Sequence, residues 1–479
     1  MAGPSEDTMP VHNSLLDLVG GTPLVQLQRL TQGIAARVLV KLEYLNPGGS
    51  VKDRAASAMV AAAEQAGELR PGGTIVEGTS GNTGIGLAQA AAVLGYRLIV
   101  VVPNSIAVEK IDALQAYGAE VVQTPSILPR NHPEHVAKLA ERIASEIPGG
   151  WLANQYDNTA NPTAHRTTTG PEIWVDTGGT VTHLVAGIGT GGTISGAGGH
   201  LKEVSNGRVT VVGADPATSV YHGGDGSPFF VEAAGHYLHP DTPEDIWPLS
   251  YHPEVLDRIE TVSDRESLTT VRRLAREEGI LVGGSSGLAT AAALRVASGL
   301  GPEHTVVAIL PDSGRAYLSK YHSPTWLRRF GFLDDDRTGL LADAGVVGAV
   351  HTVTTRTPLG EAAAIAAGPA RHQALLPVVL PRRDRAFATA VTEILGALDP
   401  LVLQSELARH GPDTPAGEVA GPPPLALGTG ETVEEALARL DASGRPHAFV
   451  LRDGRLAGAV SRADLVWAIE VRDRARTHS

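Results

Sequence analysis

The stretch "NPGGSVKDRAAS" (46–57) puts Lys52 behind two glycines and a serine and ahead of an Ala-rich run with helical character. A glycine turn that opens into a helix points backbone N–H groups outward and suits an anion. It is not the nucleotide cradle G-x-x-x-x-G-K-[ST], because Asp53 follows the lysine. Alone, Lys52 reads equally well as a solvated or ion-paired residue. Three other stretches change the weighing. "EGTSGNTGIG" (77–86) packs hydroxyls, an amide and glycines into a strand–helix turn, and "GIGTGGTISG" (187–196) is a denser loop of the same kind. "LVGGSSGLATAAAL" (281–294) adds a third, with Ser285 at its centre.

One lysine, two anion cradles and a serine form a coherent set. A cofactor with a phosphate, an aromatic nitrogen and an aldehyde would use all four. Pyridoxal phosphate has these groups, and a lysine is what holds its aldehyde.

The elements that must position these residues alternate regularly. From about Val38 to Leu310, short β-branched runs such as "RVLVKLEY", "RLIVVVP" and "HTVVAIL" are followed by Gly-rich turns and Ala-rich helical stretches. That order predicts parallel sheets with helices on both faces. Ligands in such folds bind beyond the strand C-termini, where the Gly-rich turns fall.

Composition narrows the function classes. The chain has 479 residues, 42% of them hydrophobic, enough for a large catalytic unit and a smaller module. Its net charge of −13, with no basic run, argues against nucleic-acid binding. It has no cysteine, which excludes disulfides, thiolate metal sites and a cysteine nucleophile. No metal site is expected. No apolar window reaches about 18 residues, and the start lacks a signal-peptide pattern. A cytoplasmic protein with no membrane partner is expected.

Five motifs occur in one order between Leu15 and Phe332: "GGTPLVQL", "NPGGSVKDR", "TSGNTGIGLA", "GTGGT" and "GGSSG". In these the chain resembles the fold-type II pyridoxal-phosphate enzymes of the cysteine synthase and cystathionine β-synthase family. The resemblance implies two parallel-sheet α/β subdomains and pyridoxal phosphate as cofactor. It makes Lys52 the lysine that holds the aldehyde and later shuttles the substrate's α-proton. It makes Asn82 the partner of the ring hydroxyl and Ser285 the partner of the pyridine nitrogen. Gly189, Thr190, Gly191, Gly192 and Thr193 match the phosphate loop. Thr79, Ser80, Gly81, Thr83 and Gln155 match the substrate-carboxylate site.

Within the family, "LPDSGRAYLSKY" (310–321), Trp326, Glu232 and Gly235 lean towards the cystathionine synthases, which join serine or an activated serine to homocysteine. Ala233 and His236 depart from that pattern, at a stretch expected to shape the second-substrate entrance; His236 also reads as a solvated loop residue. The alternatives are a cysteine synthase acting on O-acetylserine with sulfide or another nucleophile, and a degenerate enzyme kept as an adenosyl-compound sensor. With no cysteine to ligate it, haem is not expected. The resemblance also implies amino-acid substrates and a homodimer or homotetramer.

Past Leu333 the texture changes. Two weakly similar units of helix, strand, strand and helix read as a tandem repeat, joined by the Pro/Gly-rich "HGPDTPAGEVAGPPPLA". They resemble CBS modules, a tandem Bateman pair. The expected division is a catalytic domain over 1–335, a linker over 336–348, a first, degenerate module over 349–415 and a second over 416–475. The second keeps a nucleotide signature, "GAVSRAD", with Ser461 and Asp464 as a possible adenosyl site and S-adenosylmethionine as a possible allosteric ligand. In the first, "TAVTEIL" aligns Thr392 with Ser461 and Leu395 with the acid. A purely structural or dimerising pair is the competing expectation.

Overall fold

The computed structural model describes residues 11–333, 337–382 and 385–477. Two sheets organise the first 333 residues. One has six strands in the order Leu24–Gln26, Arg37–Leu42, Thr305–Leu310, His183–Gly187, Thr210–Pro216 and Arg258–Val262. All neighbours run parallel except the first strand, an antiparallel edge. The other has four parallel strands in the order Glu120–Thr124, Arg97–Pro103, Thr74–Gly78 and Gly150–Leu152. The central strand Thr305–Leu310 is buried at every residue. This is why it reads as an unbroken apolar run without alternation.

Helices begin where the strands end. Helix Lys52–Ala66 is built of good helix formers and stops at Gly67, whose φ of 72° suits a residue without a Cβ. Helix Asn82–Leu94 packs directly on it; a Cβ at Gly86 would lie 2.9 Å from that of Ala56. The starts of these two helices are thereby held together, with those of Gly192–Val204 and Gly284–Ala297 also at the strand ends. Behind Lys52 lies a buried ionic network. Arg54 donates to Glu43 (2.7 Å) and Glu172 (2.6 Å), and Lys41, wholly buried in its strand, pairs with Glu172 (2.8 Å).

The tail forms two three-stranded sheets, Val353–Thr354, Leu376–Val379 and Ile394–Leu398, then Leu425–Gly428, His447–Arg452 and Arg455–Ser461. Each is covered by helices, Leu359–Ala367 and Leu403–His410 in the first, Val433–Ser443 and Arg462–Thr477 in the second. The leading segments are exchanged. Leu341, within the expected linker, is buried in the core of the second unit, while Ala416 is buried in that of the first. The expected division at 335–336 lies outside the described residues.

The register expected for the first unit is corrected. Thr392 precedes the strand Ile394–Leu398, whereas Ser461 ends the strand Arg455–Ser461. The apolar "ILGAL" forms the strand, so Asp399 takes the place after it, where its Oδ1 accepts from the N–H of Leu401 at 2.8 Å.

The tail docks on a strap of the catalytic unit, residues 217–242. Arg382, buried against Glu393 at 3.0 Å, donates to the carbonyls of Asp225 (2.7 Å) and Leu238 (3.0 Å). Arg455 donates to Ser227 Oγ (3.2 Å) and the Pro228 carbonyl (2.9 Å). Among the described residues no helix is long and apolar enough to cross a membrane, and no cluster of three His, Cys, Asp or Glu could hold a metal ion.

Candidate active site

Lys52, Asn82, Gly187, Thr190, Gly191 and Thr193 line one cavity at the strand C-termini. Lys52 keeps part of its surface towards that cavity. Burial pushes its amine down to about 8, opposed by the charge of Asp312. Much of the amine is therefore neutral near pH 8, as attack on an aldehyde requires.

The loop Gly189–Thr193 is shaped for close backbone approach. Gly191 has φ +85°, and a Cβ there would meet the Tyr251 Cα at 2.5 Å. A side chain at Gly192 would collide with Asn161. Both threonine hydroxyls are held from behind. Asn161 Nδ2 donates to Thr190 Oγ1 (3.0 Å), and His165 Nε2 lies 3.2 Å from Thr193 Oγ1. His165 is fully buried, and burial, then the charge of Lys52, hold its pKa well below the usual imidazole range. Neutral, it can present one N–H and one acceptor. Asn161 and His165 escaped the sequence reading; the signal was "NPTAHRTTTG", a polar cluster inside a run the structure makes helical.

Ser285 is buried with an Oγ that has no hydrogen-bond partner, which an added acceptor would satisfy. Asn82 Nδ2 donates to the Asp312 carboxylate at 2.7 Å. The turn at 79–83 closes on itself: Thr79 Oγ1 accepts from the N–H of Gly81 (3.1 Å) and Thr83 Oγ1 donates to Gln155 Oε1 (2.5 Å). Gly81 has φ +116°, and a Cβ would meet the Lys110 side chain at 2.6 Å. Lys110 Nζ donates to the Ser80 carbonyl (3.3 Å) and pairs with Glu232 (2.9 Å), which also pairs with Lys320 (2.6 Å). Burial would raise the Glu232 carboxyl, but the two ammoniums overcome it and hold it below the usual range. The residues present fit pyridoxal phosphate: a cavity lysine, an orphaned hydroxyl and a glycine cradle that side chains would fill.

Compared with known families, residues 15–312 match the pyridoxal-phosphate dependent enzymes. The chain belongs to that family. Pyridoxal phosphate is its cofactor, and residues 416–471 match the CBS domain. The chain is 43% identical over 329 residues to the cystathionine beta-synthase of Apis mellifera, a match covering 68% of this chain and 64% of that protein. It is 48% identical over 307 residues to a probable cysteine synthase of Bacillus subtilis, covering 63% of this chain and 95% of that protein. The match thus spans just under two thirds of the Apis protein. Among solved structures, O-ureido-L-serine synthase is similar at TM-score 0.59 and 39% identity, over 65% of this chain and 95% of that one.

In the tail of this pyridoxal-phosphate enzyme, Ser461 and Asp464 come together. Asp464 Oδ2 accepts from the N–H (2.7 Å) and hydroxyl (2.8 Å) of Ser461. Asp464 also borders a cavity of about 350 Å3 between the two units, with His351, His372, Gln373, Val460 and Trp467. His236, a departure noted in the sequence, pairs with Asp245 at 2.7 Å and edges onto Tyr221. Tyr221 in turn donates to the Gly189 carbonyl at 2.8 Å.

Proposed function

We propose that this enzyme replaces the β-substituent of L-serine, or of an activated serine, with the thiol of L-homocysteine, giving cystathionine. The Cβ–O bond breaks, the Cβ–S bond forms, and water or the acyl acid leaves. Bound pyridoxal phosphate supplies the electron sink at Cα. Lys52 would hold it, and its Nζ would take the α-proton of the bound amino acid. Asn82 would face the ring hydroxyl and Ser285 the ring nitrogen, while Gly189 to Thr193 would hold the phosphate. Ser285, unlike a carboxylate, does not hold that nitrogen protonated, which favours loss of a β-substituent. Thr79, Ser80, Gly81, Thr83 and Gln155 would bind the substrate carboxylate.

The observation that carries the choice of nucleophile is the Lys110–Glu232–Lys320 cluster behind Ser80, two ammoniums to one carboxylate. Lys320, its partly exposed ammonium, suits a nucleophile that carries a carboxylate of its own, as homocysteine does and sulfide does not. The deciding experiment gives the loaded enzyme serine or O-acetylserine, then homocysteine or sulfide, and resolves the products by mass. Cystathionine from serine supports the proposal; cysteine alone, from O-acetylserine and sulfide, overturns it. The similarity to the Bacillus subtilis cysteine synthase favours that second reading. Lys320→Met is expected to raise KM for homocysteine about tenfold, the worth of one charge-assisted contact, while sulfide-dependent turnover stays within about twofold.

For the tail, an adenosyl compound is proposed in the cavity beside Asp464. Calorimetric titration with adenosine and S-adenosylmethionine should show binding that Asp464→Ala removes. Unchanged binding in that variant would exclude the Ser461–Asp464 end of the cavity.

A further inference from the structure

One buried acid stands outside the roles assigned so far. Asp312 follows the central strand Thr305–Leu310 and is 1% exposed. It touches the starts of three helices at once. Its backbone bridges to Ser50, two residues before Lys52. Its carbonyl accepts from the N–H of Gly283 at 3.1 Å, two residues before Ser285. Its carboxylate accepts from Asn82 Nδ2 at 2.7 Å and from the Tyr317 hydroxyl at 2.5 Å. Room has been made for it, since any side chain at Gly283 would collide with the carboxylate and with Tyr317.

Holding the Asn82 amide needs only an acceptor, and a neutral one would serve at less desolvation cost. A carboxylate here therefore calls for a charge to answer. Its Oδ1 has no hydrogen-bond partner. Of the charged and titratable groups around it, Lys52 comes from the helix Lys52–Ala66, Lys110 from Val108–Ala116, Glu232 from the strap, and Tyr317 and Tyr321 from the segment after the strand. Lys110, whose charge also acts on Asp312, is already paired with Glu232. Among the described residues Lys52 makes no ion pair; the Ser50 bridge ties its helix start to Asp312, the carboxylate whose charge acts on it.

We propose that Asp312 is a positioning residue of the cofactor site, fixing the Asn82 amide and supplying the counter-charge to the Lys52 nitrogen while that nitrogen is bonded to the cofactor. The inference rests on the assignment of Lys52 and Asn82 above. With a negative charge beside it, the cofactor-bonded nitrogen keeps its proton to higher pH, and the visible absorption of the loaded enzyme persists with it.

The test is a pH titration of that absorption, with cofactor content measured separately. Asp312→Asn keeps the shape and removes the charge. The midpoint for losing the visible band should fall by at least about one pH unit, the usual scale for an opposed charge at close range. Tyr317→Phe removes a donor that holds the carboxylate in its charged form, so its midpoint should fall as well, by a smaller step. Graded falls distinguish a charge role from a merely structural one, which would lower thermal stability without moving either midpoint. An unmoved midpoint in a fully loaded Asp312→Asn protein overturns the proposal. Should that variant fail to fold, a midpoint in Tyr317→Phe that stays or rises overturns it equally. The control Lys52→Ala separates the two levels: if it keeps the visible band of the lysine-bound cofactor, the assignment of Lys52 has failed, not the role of Asp312.

Discussion

Lys52→Ala is expected to abolish the visible colour of the pyridoxal-phosphate-loaded enzyme and to lower β-replacement by more than about a thousandfold. Two proposed functions leave with one side chain, the covalent hold on the cofactor and the base that takes the α-proton. The fold should survive, because the core contacts of helix Lys52–Ala66 are made by Ala55, Ala56, Met59, Val60 and Ala63. The amine also has a pH signature. Burial lowers it to about 8, so its charged form dominates below that value and its neutral, reactive form above. Capture of free cofactor by the unloaded protein should quicken about tenfold per pH unit up to about pH 8 and then level off, whereas an unperturbed lysine would continue to about 10.4. A stopped-flow series over pH reads this directly. A plateau beyond pH 10 would show that the amine is not perturbed in this way.

The second large effect is on stability. Arg54→Ala is expected to destabilise the catalytic unit by about 3–5 kcal/mol, because it leaves Glu43 buried without its partner. Arg54 and Glu43 are both nearly inaccessible, with side chains 2% and 0% exposed. Arg54 also binds Glu172, whose carboxyl it, chiefly, holds down to about 2 against the opposing effect of burial. For that acid the sign is plain: its stabilising contribution is present above the ordinary carboxylate range and is lost as pH falls towards 2. Replacing both partners, as Arg54→Met with Glu43→Leu, should recover much of the loss, since a well-packed apolar pair needs no desolvation of charge. Denaturant unfolding of the two proteins measures both. A double variant as unstable as the single one would mean that Glu172 and Lys41, not Glu43, dominate the network.

Much of the catalytic unit was legible because its signals are local. Parallel strands buried on both faces need continuous apolar runs, and helices that begin at a ligand need glycine where the backbone approaches. The stretches around Lys52, Asn82, Gly191 and Ser285 therefore marked themselves. The tail was harder to read. "TAVTEIL" contains the right letters for a nucleotide signature, but the pairing of Leu376–Val379 with Ile394–Leu398 sets its register, and Thr392 falls before the strand. Likewise Leu341 belongs to the core of the second unit because that core, not the adjacent chain, offers it apolar neighbours.

By itself the amino-acid sequence determined the class of fold and the cofactor, and it marked the lysine, serine and glycines proposed to serve it, since each is a demand on residue type at one point of the chain. Only the tertiary structure decided what stands behind them. Asp312 reaches Asn82 across 230 positions and Glu232 reaches Lys320 across 88, while His165 meets Thr193 across 28. Such partners have no shared period or spacing. They are chosen by which strand ends and helix starts the sheet brings together, and by the cost of leaving a buried charge or hydroxyl unanswered.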